Sequence, residues 1–536
     1  MSLADPTNPT NIKRVGSRAL LVDLADLNAV MNWHAALVEQ PLARQTDVIA
    51  AARTVLITFD SPTATEQAAA TLASFHPKAV TREAPRDITI NVRYDGEDLD
   101  PLANTLGMTP EGLIDWHTST TWVAAFGGFA PGFAYCVPES GQGLAVPRLS
   151  SPRTEVPAGA VALAGEFSAV YPRVSPGGWQ LIGTTDAPMW DSSVTPPALV
   201  APGDKVRYVS VDTLAAQGAS SHRHLEHPPR RPIFTVDDPG LQTLYQDLGR
   251  QGNGNLGVTT SGSADRASAY TANAAVGNKA NATLLENVGG CALTALAETV
   301  VCVTGAEADV TVSGRPVLLA TPTIVPGGAQ LTIGPARVGM RSYIAVRGGL
   351  IADTELGSAA TDILSGLGPD PIAAGDTIAM ALTPPESANA LLTNPLRVKP
   401  AGTGAGTSTG VSAATVRCVL GPRNDWFTPE AVERFFSTEF TVSADSNRVG
   451  LRLDGANAIE RSREGELPSE GMVAGSIQIP PSGQPVVFLR DHAVTGGYPV
   501  IATVISEDVD IAAQLPPGST LRFERYTPTP KDGSPR

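Results

Sequence analysis

Apolar and polar positions alternate between two periods at the start of the chain. SRALLVDL (17–24) is an apolar run of strand length, and Leu27, Val30, Met31, His34 and Leu37 then recur at helical spacing behind Asp23 and Asp26, two candidate caps. RTVLITF (53–59) predicts a strand, TEQAAATLASF (65–75) a helix capped by Thr65, and DITINVRY (87–94) another strand. This pattern predicts a small α/β lobe.

After Tyr94 the pattern changes to short apolar runs broken by Pro and Gly, the mark of a β-rich fold. One helix start interrupts it. In TPEGLIDWH (109–117) Thr109 can cap, Pro110 takes the first helical position and Glu111 suits the helix dipole. Polar residues 213–232 and the low-complexity stretch PAGTGAGTSTGVSA (400–413) read as joints.

An internal repeat organises the rest. Val92-Arg93, TPEGLIDWH (109–117), VPAGAVAL (156–163), PGGWQLIGTT (176–185) and VAPGDKVRYV (200–209) return in order as Val416-Arg417, TPEAVERFF (428–436), MVAGSIQI (472–479), TGGYPVIATV (495–504) and LPPGSTLRFE (515–524). A weaker echo, AAGDTIAMAL (373–382), suggests a third β unit at about 235–385. The expected organisation is a lobe at 1–87, a barrel at 88–212, a linker at 213–232, a second barrel within 233–399, a linker at 400–413 and a third barrel at 414–526.

Composition narrows the function. The 536 residues are too many for one core, and 52 Gly with 45 Pro favour turns and short strands. A net charge of −15 with no basic stripe excludes nucleic acid as a natural partner. Cys136, Cys291, Cys302 and Cys418 show neither zinc nor disulfide spacing, and the N-terminus lacks a signal-peptide core. No apolar run approaches the roughly 20 residues of a membrane span. The expectation is a cytoplasmic protein with no membrane contact.

Several constellations can carry chemistry. Arg148 and Arg153 lie in Pro-bounded loops, and a planar guanidinium suits a carboxylate or phosphate. Gln246, Asp247 and Arg250 precede a Gly-rich loop followed by Ser261, Ser263, Asp265, Asn273 and Asn278. Further on stand Glu470, Gln478, Asp491, His492, Thr495 and Tyr498. His117 ends a helix. His222, His224 and His227 spell H-x-H-x-x-H in a polar joint with no strand to fix them, so no metal site is expected. There is no G-x-x-x-x-G-K-[ST] loop, no G-x-S-x-G elbow and no lysine setting for covalent biotin.

Two sets of motifs carry a family resemblance. YDGEDL (94–99), FAPGFAY (129–135), PR-x4-PR-x2-VPAG (147–159) and SPGGWQLIG (175–183) resemble the B subunit of 5-oxoprolinase, over about 12–212. QDLGR (246–250), SGSAD (261–265), AN-x3-GN (272–278), RSYIAVRGG (341–349), NRVGLRL (447–453), SEG (469–471), GSIQIP (475–480) and TGGYP (495–499) resemble its C subunit, over about 233–526. The same families are called allophanate hydrolase subunits 1 and 2. They are similar to the kinase-inhibitor pair KipI and KipA and to the carboxyltransferase part of urea carboxylase. Two departures stand out. Gly357-Ser358-Ala359-Ala360-Thr361 replaces G-S-R-S-T, and Asp491-His492-Ala493-Val494 replaces D-x-Q-T.

The resemblance implies a mainly β fold of cyclophilin-like barrels behind a small N-terminal α/β lobe. It also implies ATP-dependent opening of 5-oxo-L-proline to glutamate together with the separate A subunit of 5-oxoprolinase, with Mg accompanying ATP and a homo-oligomer left open. A lactam is a poor electrophile, so phosphorylation of its oxygen would need cations and a base for water. Arg148, Arg153 and Arg250 are candidates for the cations, and His117, Asp265 or Asp491 for the base. A cleft between the end barrels would gather Phe133, Arg148, Arg153 and Trp179 against Gln478, Asp491, Thr495 and Tyr498. Gln246, Arg250 and Asn273 would lie in its floor. Two other readings share these barrels: carboxyl transfer from carboxybiotin to a urea-like amide, and non-catalytic regulation of a sensor kinase.

Overall fold

The computed structural model describes residues 11–77, 85–149, 151, 153–214, 229–381, 413–465 and 467–527. His222, His224 and His227, and most of both expected linkers, lie outside the described residues.

The N-terminal lobe is a four-stranded antiparallel sheet in the order Asn11–Val15, Ala19–Asp23, Thr54–Phe59, Gln45–Ala50, with helices Leu27–Glu39 and Pro62–Leu72. Asp26 caps the first helix by accepting from Ala29 N–H at 2.8 Å. The second helix starts earlier than expected. Ser61 is its cap, Pro62 takes the first turn, and Thr65 is buried inside it.

The repeated segments fold alike. In the first, strand Asp87–Val92 lies parallel to Lys205–Ser210, and the ring continues through Trp122–Gly127, Ala134–Pro138, Phe167–Val170, Ala160–Ala164 and Gln180–Thr184. A paired bridge between Arg93 and Thr184 (N···O 2.9 and 2.8 Å) joins the two edges. In the last segment, Ala414–Leu420 lies parallel to Thr520–Arg525, and a closed barrel continues through Phe440–Val442, Gly450–Gly455, Val486–Phe488, Ser476–Gln478 and Val500–Val504.

Strand for strand, the chain order, neighbours and directions agree. Each barrel also carries a two-stranded ribbon at the same place, Arg153–Val156 with Ser175–Gly177 and Glu470–Gly471 with Thr495–Gly496. Each has a Thr-Pro helix start in which Thr109 accepts from Gly112 N–H at 3.1 Å and Thr428 from Ala431 N–H at 3.2 Å.

The middle unit is not the barrel expected at 233–399. Its strands form a seven-stranded sheet centred on Cys291–Ala295 and Arg230–Asp238, and a five-stranded sheet centred on Leu285 and Ile344. One core of Phe234, Leu293, Leu331, Val303 and Ile344 lies between them, making a sandwich. The strand in the 373–382 echo, Thr377–Ala381, pairs with Arg230–Thr235. Among the described residues no helix is long and apolar enough to cross a membrane.

Candidate functional site

The end barrels meet at the loop FGGFAPGF (126–133). Gly128 faces Thr495 so closely that a Cβ there would stand 2.8 Å from its side chain, and only glycine fits. The next residue, Phe129, has a left-handed backbone (φ +62°), a strained conformation for an aromatic residue. Its N–H donates to Thr495 Oγ1 at 3.1 Å, and its ring packs edge-on against Phe133 (5.1 Å) and Tyr171 (6.0 Å). The strain is thus held by contacts from both barrels.

Two phenols stand at this seam. The Tyr135 hydroxyl lies near Thr495 and Ser469 of the last barrel, and Arg148 acts on it electrostatically. Tyr171 lies against Gly177 of the PGGW ribbon and also feels Arg148. Burial pushes both phenols above their ordinary pKa, so both stay protonated donors at neutral pH. The Arg148 side chain is exposed at the rim. Phe133, Tyr135 and Trp179 pack edge-to-face, with ring centres 5.0–5.5 Å apart.

The structure brings together some of the expected residues. Arg148, Phe133, Trp179 and Thr495 are at the seam, but Phe133 and Trp179 are only 2 % and 5 % exposed and form its wall. Gln478 lies behind the Thr495–Gly496 ribbon, where its Nε2 donates to Tyr498 O at 3.1 Å. Tyr498 is exposed, with the Arg461 guanidinium 5.5 Å from its ring centre.

Other expected residues have different work. Arg153 is neutralised inside its own barrel by Asp98 (2.8 and 2.9 Å) and Glu97 (2.7 Å), so it offers no free cation. His117 is wholly buried, held by the Tyr94 hydroxyl at Nδ1 (2.6 Å) and Ser168 at Nε2 (2.9 Å) and stacked on Tyr208. Burial drops its pKa to about 3, so it is a core histidine without access to substrate.

Asp491 is also fully buried. Its carboxylate accepts from Arg448 Nε (2.9 Å), Arg448 Nη2 (3.0 Å), Ser261 Oγ (2.6 Å) and Ile363 N–H (3.1 Å). Arg448 also binds Glu286 of the sandwich. The pair is a clamp between units, and no lone pair is left for a base.

Asp265 caps helix Arg266–Ala275 and accepts from Gln514 at 2.9 Å. Asn273 bonds Ala282 O and Asn278 inside the sandwich. Gln246 and Arg250 are buried against the 355–361 loop, through Thr361 O, Ala360 O and Glu355 O. None of these reaches the seam. Tyr135, Tyr171 and Ser469 went unnoticed in the sequence although two of them lie inside quoted motifs. Their role depends on which face of the strand they occupy.

Known proteins resemble the chain along most of its length. The family model for the carboxyltransferase domain, subdomain A and B, matches residues 256–525, and that for subdomain C and D matches 10–200. The chain is 32 % identical to the C subunit of 5-oxoprolinase from Escherichia coli K12 over 289 residues, 53 % of this chain and 88 % of that protein. It is 43 % identical to the B subunit of 5-oxoprolinase from Bacillus subtilis over 129 residues, 24 % of this chain and 53 % of that protein. Urea amidolyase of Lachancea kluyveri is 32 % identical over 308 residues, 54 % of this chain and 17 % of that protein. A crystal structure of TTHA0988 covers 95 % of this chain and 99 % of its own, at 32 % identity and a TM-score of 0.80.

Proposed function

Because the chain belongs to the carboxyltransferase-domain family, with a C/D-type first half and an A/B-type second half, we propose that it is the joined B and C component of an ATP-dependent 5-oxoprolinase acting with a separate 5-oxoprolinase A-like protein. The observation that carries this reading is the Thr495 seam, where the half resembling the B subunit and the half resembling the C subunit supply one set of polar groups.

The chemistry follows from the groups present. A lactam carbonyl resists water. Transfer of the terminal phosphoryl group of ATP to the lactam oxygen breaks the bond to ADP and forms a carbon-bound phosphate ester. Water then adds at that carbon, the ring C–N bond opens with the nitrogen taking up a proton to leave an acyl phosphate, and a second water hydrolyses that acyl phosphate to glutamate and phosphate. In this reading Arg148 holds the carboxylate of 5-oxoproline, a pairing its planar fork favours. The buried Tyr135 and Tyr171 side chains brace the floor beneath the lactam, and Phe133 and Trp179 form the apolar wall behind it. ATP arrives as a substrate.

The carboxyltransferase family description and the urea amidolyase relative favour a second reading, carboxyl transfer to an amide from carboxybiotin on another chain. Reconstitution separates the two. Purified chain is mixed with a 5-oxoprolinase A-like protein and given 5-oxoproline with ATP, or urea with carboxybiotin. Release of glutamate and ADP in the first mixture alone supports the oxoprolinase. Carboxylation of urea in the second alone overturns it.

A further inference from the structure

The polar groups of the seam come from the two end barrels, and the lobe packs against both. Toward the first barrel its core is continuous: Val22, Trp33 and Ile57 of the lobe share one apolar cluster with Phe126, Phe133 and Tyr135. Toward the last barrel it meets the strand Glu470–Gly471. Ala52 N–H donates to Ser469 O at 3.2 Å, and a Cβ on Gly471 would stand 2.6 Å from the Leu56 side chain.

That strand is the antiparallel partner of Thr495–Gly496, with Glu470 opposite Gly496 and Gly471 opposite Thr495. One cation ties it to the lobe. Arg423 donates from Nε to the Glu470 carboxylate at 2.7 Å. It also donates to Asp23 of the lobe, from Nη2 at 2.5 Å and from Nη1 at 3.3 Å. Lys13 Nζ stands 3.2 Å from Asp23 Oδ2. Two cations and two carboxylates thus form a neutral row across the boundary, and Arg423 and Glu470 are buried in it. The Arg423 N–H donates to Val500 O at 3.2 Å, at the start of the strand that follows the Thr495–Gly496 ribbon.

We propose that Arg423 is a positioning residue for the seam: by tying Asp23 of the lobe to Glu470, it makes the lobe a brace that holds Thr495 against the Phe129 N–H. A planar guanidinium holds two carboxylates in fixed directions, which an ammonium on a flexible stem does not. The brace acts on the strand beside Thr495, and Thr495 accepts from the residue whose left-handed backbone has to be held in place. The row therefore runs from the lobe to the seam without any lobe side chain entering the site.

The test is hydrogen exchange of the full chain, read by mass spectrometry on peptides covering 126–133 and, as a reference, 284–288 of the sandwich. Arg423→Met removes the cation, Asp23→Asn is the milder change at the lobe end, and Arg18→Gln cuts a different lobe contact, to Glu507 at 3.2 Å. Arg423→Met and Asp23→Asn are expected to speed exchange at 126–133 about tenfold, as a local opening does, and to leave 284–288 as in wild type. Arg18→Gln is expected to change neither. The proposal is overturned if both folded variants exchange at 126–133 as wild type does, if 284–288 speeds up equally, or if Arg18→Gln has the same effect.

A second measurement rests on the oxoprolinase reading. In the enzyme reconstituted with the 5-oxoprolinase A-like protein, Asp23→Asn is expected to lower kcat for 5-oxoproline several-fold with KM little changed, since Arg148 is untouched. Faster exchange at 126–133 with full kcat would uphold the brace and count against the seam as the reaction site.

Discussion

The hydroxyl of Thr495 accepts a hydrogen bond from the backbone N–H of Phe129 at 3.1 Å, across 366 positions of the chain. The Tyr135 hydroxyl lies near the same threonine. It therefore holds a strained loop of one barrel with a ribbon of the other. Thr495→Val keeps the shape and removes the acceptor. The expected result is a loss of about 1–2 kcal/mol in denaturant unfolding, the cost of an unsatisfied buried donor, with a fall in activity of the reconstituted enzyme. Unchanged stability and activity would count against the seam as a joint.

Gly159 and Gly475 test the equivalence of the two barrels. Both have positive φ (+80° and +92°), and a Cβ on them would meet Thr185 O at 2.4 Å and Val504 O at 2.7 Å. Alanine at either position is expected to cost about 2 kcal/mol or more, from the left-handed backbone and the clash together. Urea unfolding of the two single variants should show similar losses. A loss at only one position would mean that the matching topology hides different local packing.

Arg448 is buried between Asp491 and Glu286, all three at 2 % exposure or less. Arg448→Met leaves Asp491 buried without its cation and Glu286 with only the longer Arg341 contact at 3.5 Å, and the expected cost is about 3–5 kcal/mol. Because Glu286 belongs to the sandwich and Asp491 to the last barrel, unfolding of this variant should lose the single cooperative transition. A stability within experimental error of wild type would show that the clamp is dispensable.

His117 gives an acid-sensitive term. Its pKa falls from 6.5 to about 3 on folding, so above pH 6.5 both states are neutral and the group contributes nothing. Below pH 6.5 the unfolded chain takes up a proton that the folded core refuses, and stability falls by about 1.4 kcal/mol per pH unit until about pH 3. His117→Gln should reduce the difference in unfolding free energy between pH 7.5 and 5.5 by about 1.4 kcal/mol, whatever its effect at pH 7.5. An identical pH slope in both proteins would rule the histidine out as its source.

The repeat was legible because each copy needs the same local chemistry: a Thr-Pro helix start, a glycine at a positive-φ corner and a Gly-Gly ribbon. Thr109 and Thr428 show this directly. The sandwich was not legible, since short apolar strands alternate in the same way whether a sheet closes on itself or packs on another. Charged site residues were the least readable. Arg148 and Arg153 sit in similar Pro-bounded loops, and nothing in those loops foretells that Arg153 is taken up by Asp98 and Glu97. His117 and Asp491 have types suited to catalysis, but burial decides their use, and burial depends on partners distant in sequence such as Ser168 and Arg448.

Arg148 tests the central claim most directly, because its exposed side chain can be removed without opening a core. The measurement is kcat/KM for 5-oxoproline in the chain reconstituted with its 5-oxoprolinase A-like partner and ATP, for wild type and Arg148→Ala. The expected result is a loss of about tenfold or more, mostly through KM, as removal of a carboxylate-binding guanidinium entails, with the unfolding midpoint unchanged. Full activity in the folded variant would contradict a substrate site at the seam between the two barrels.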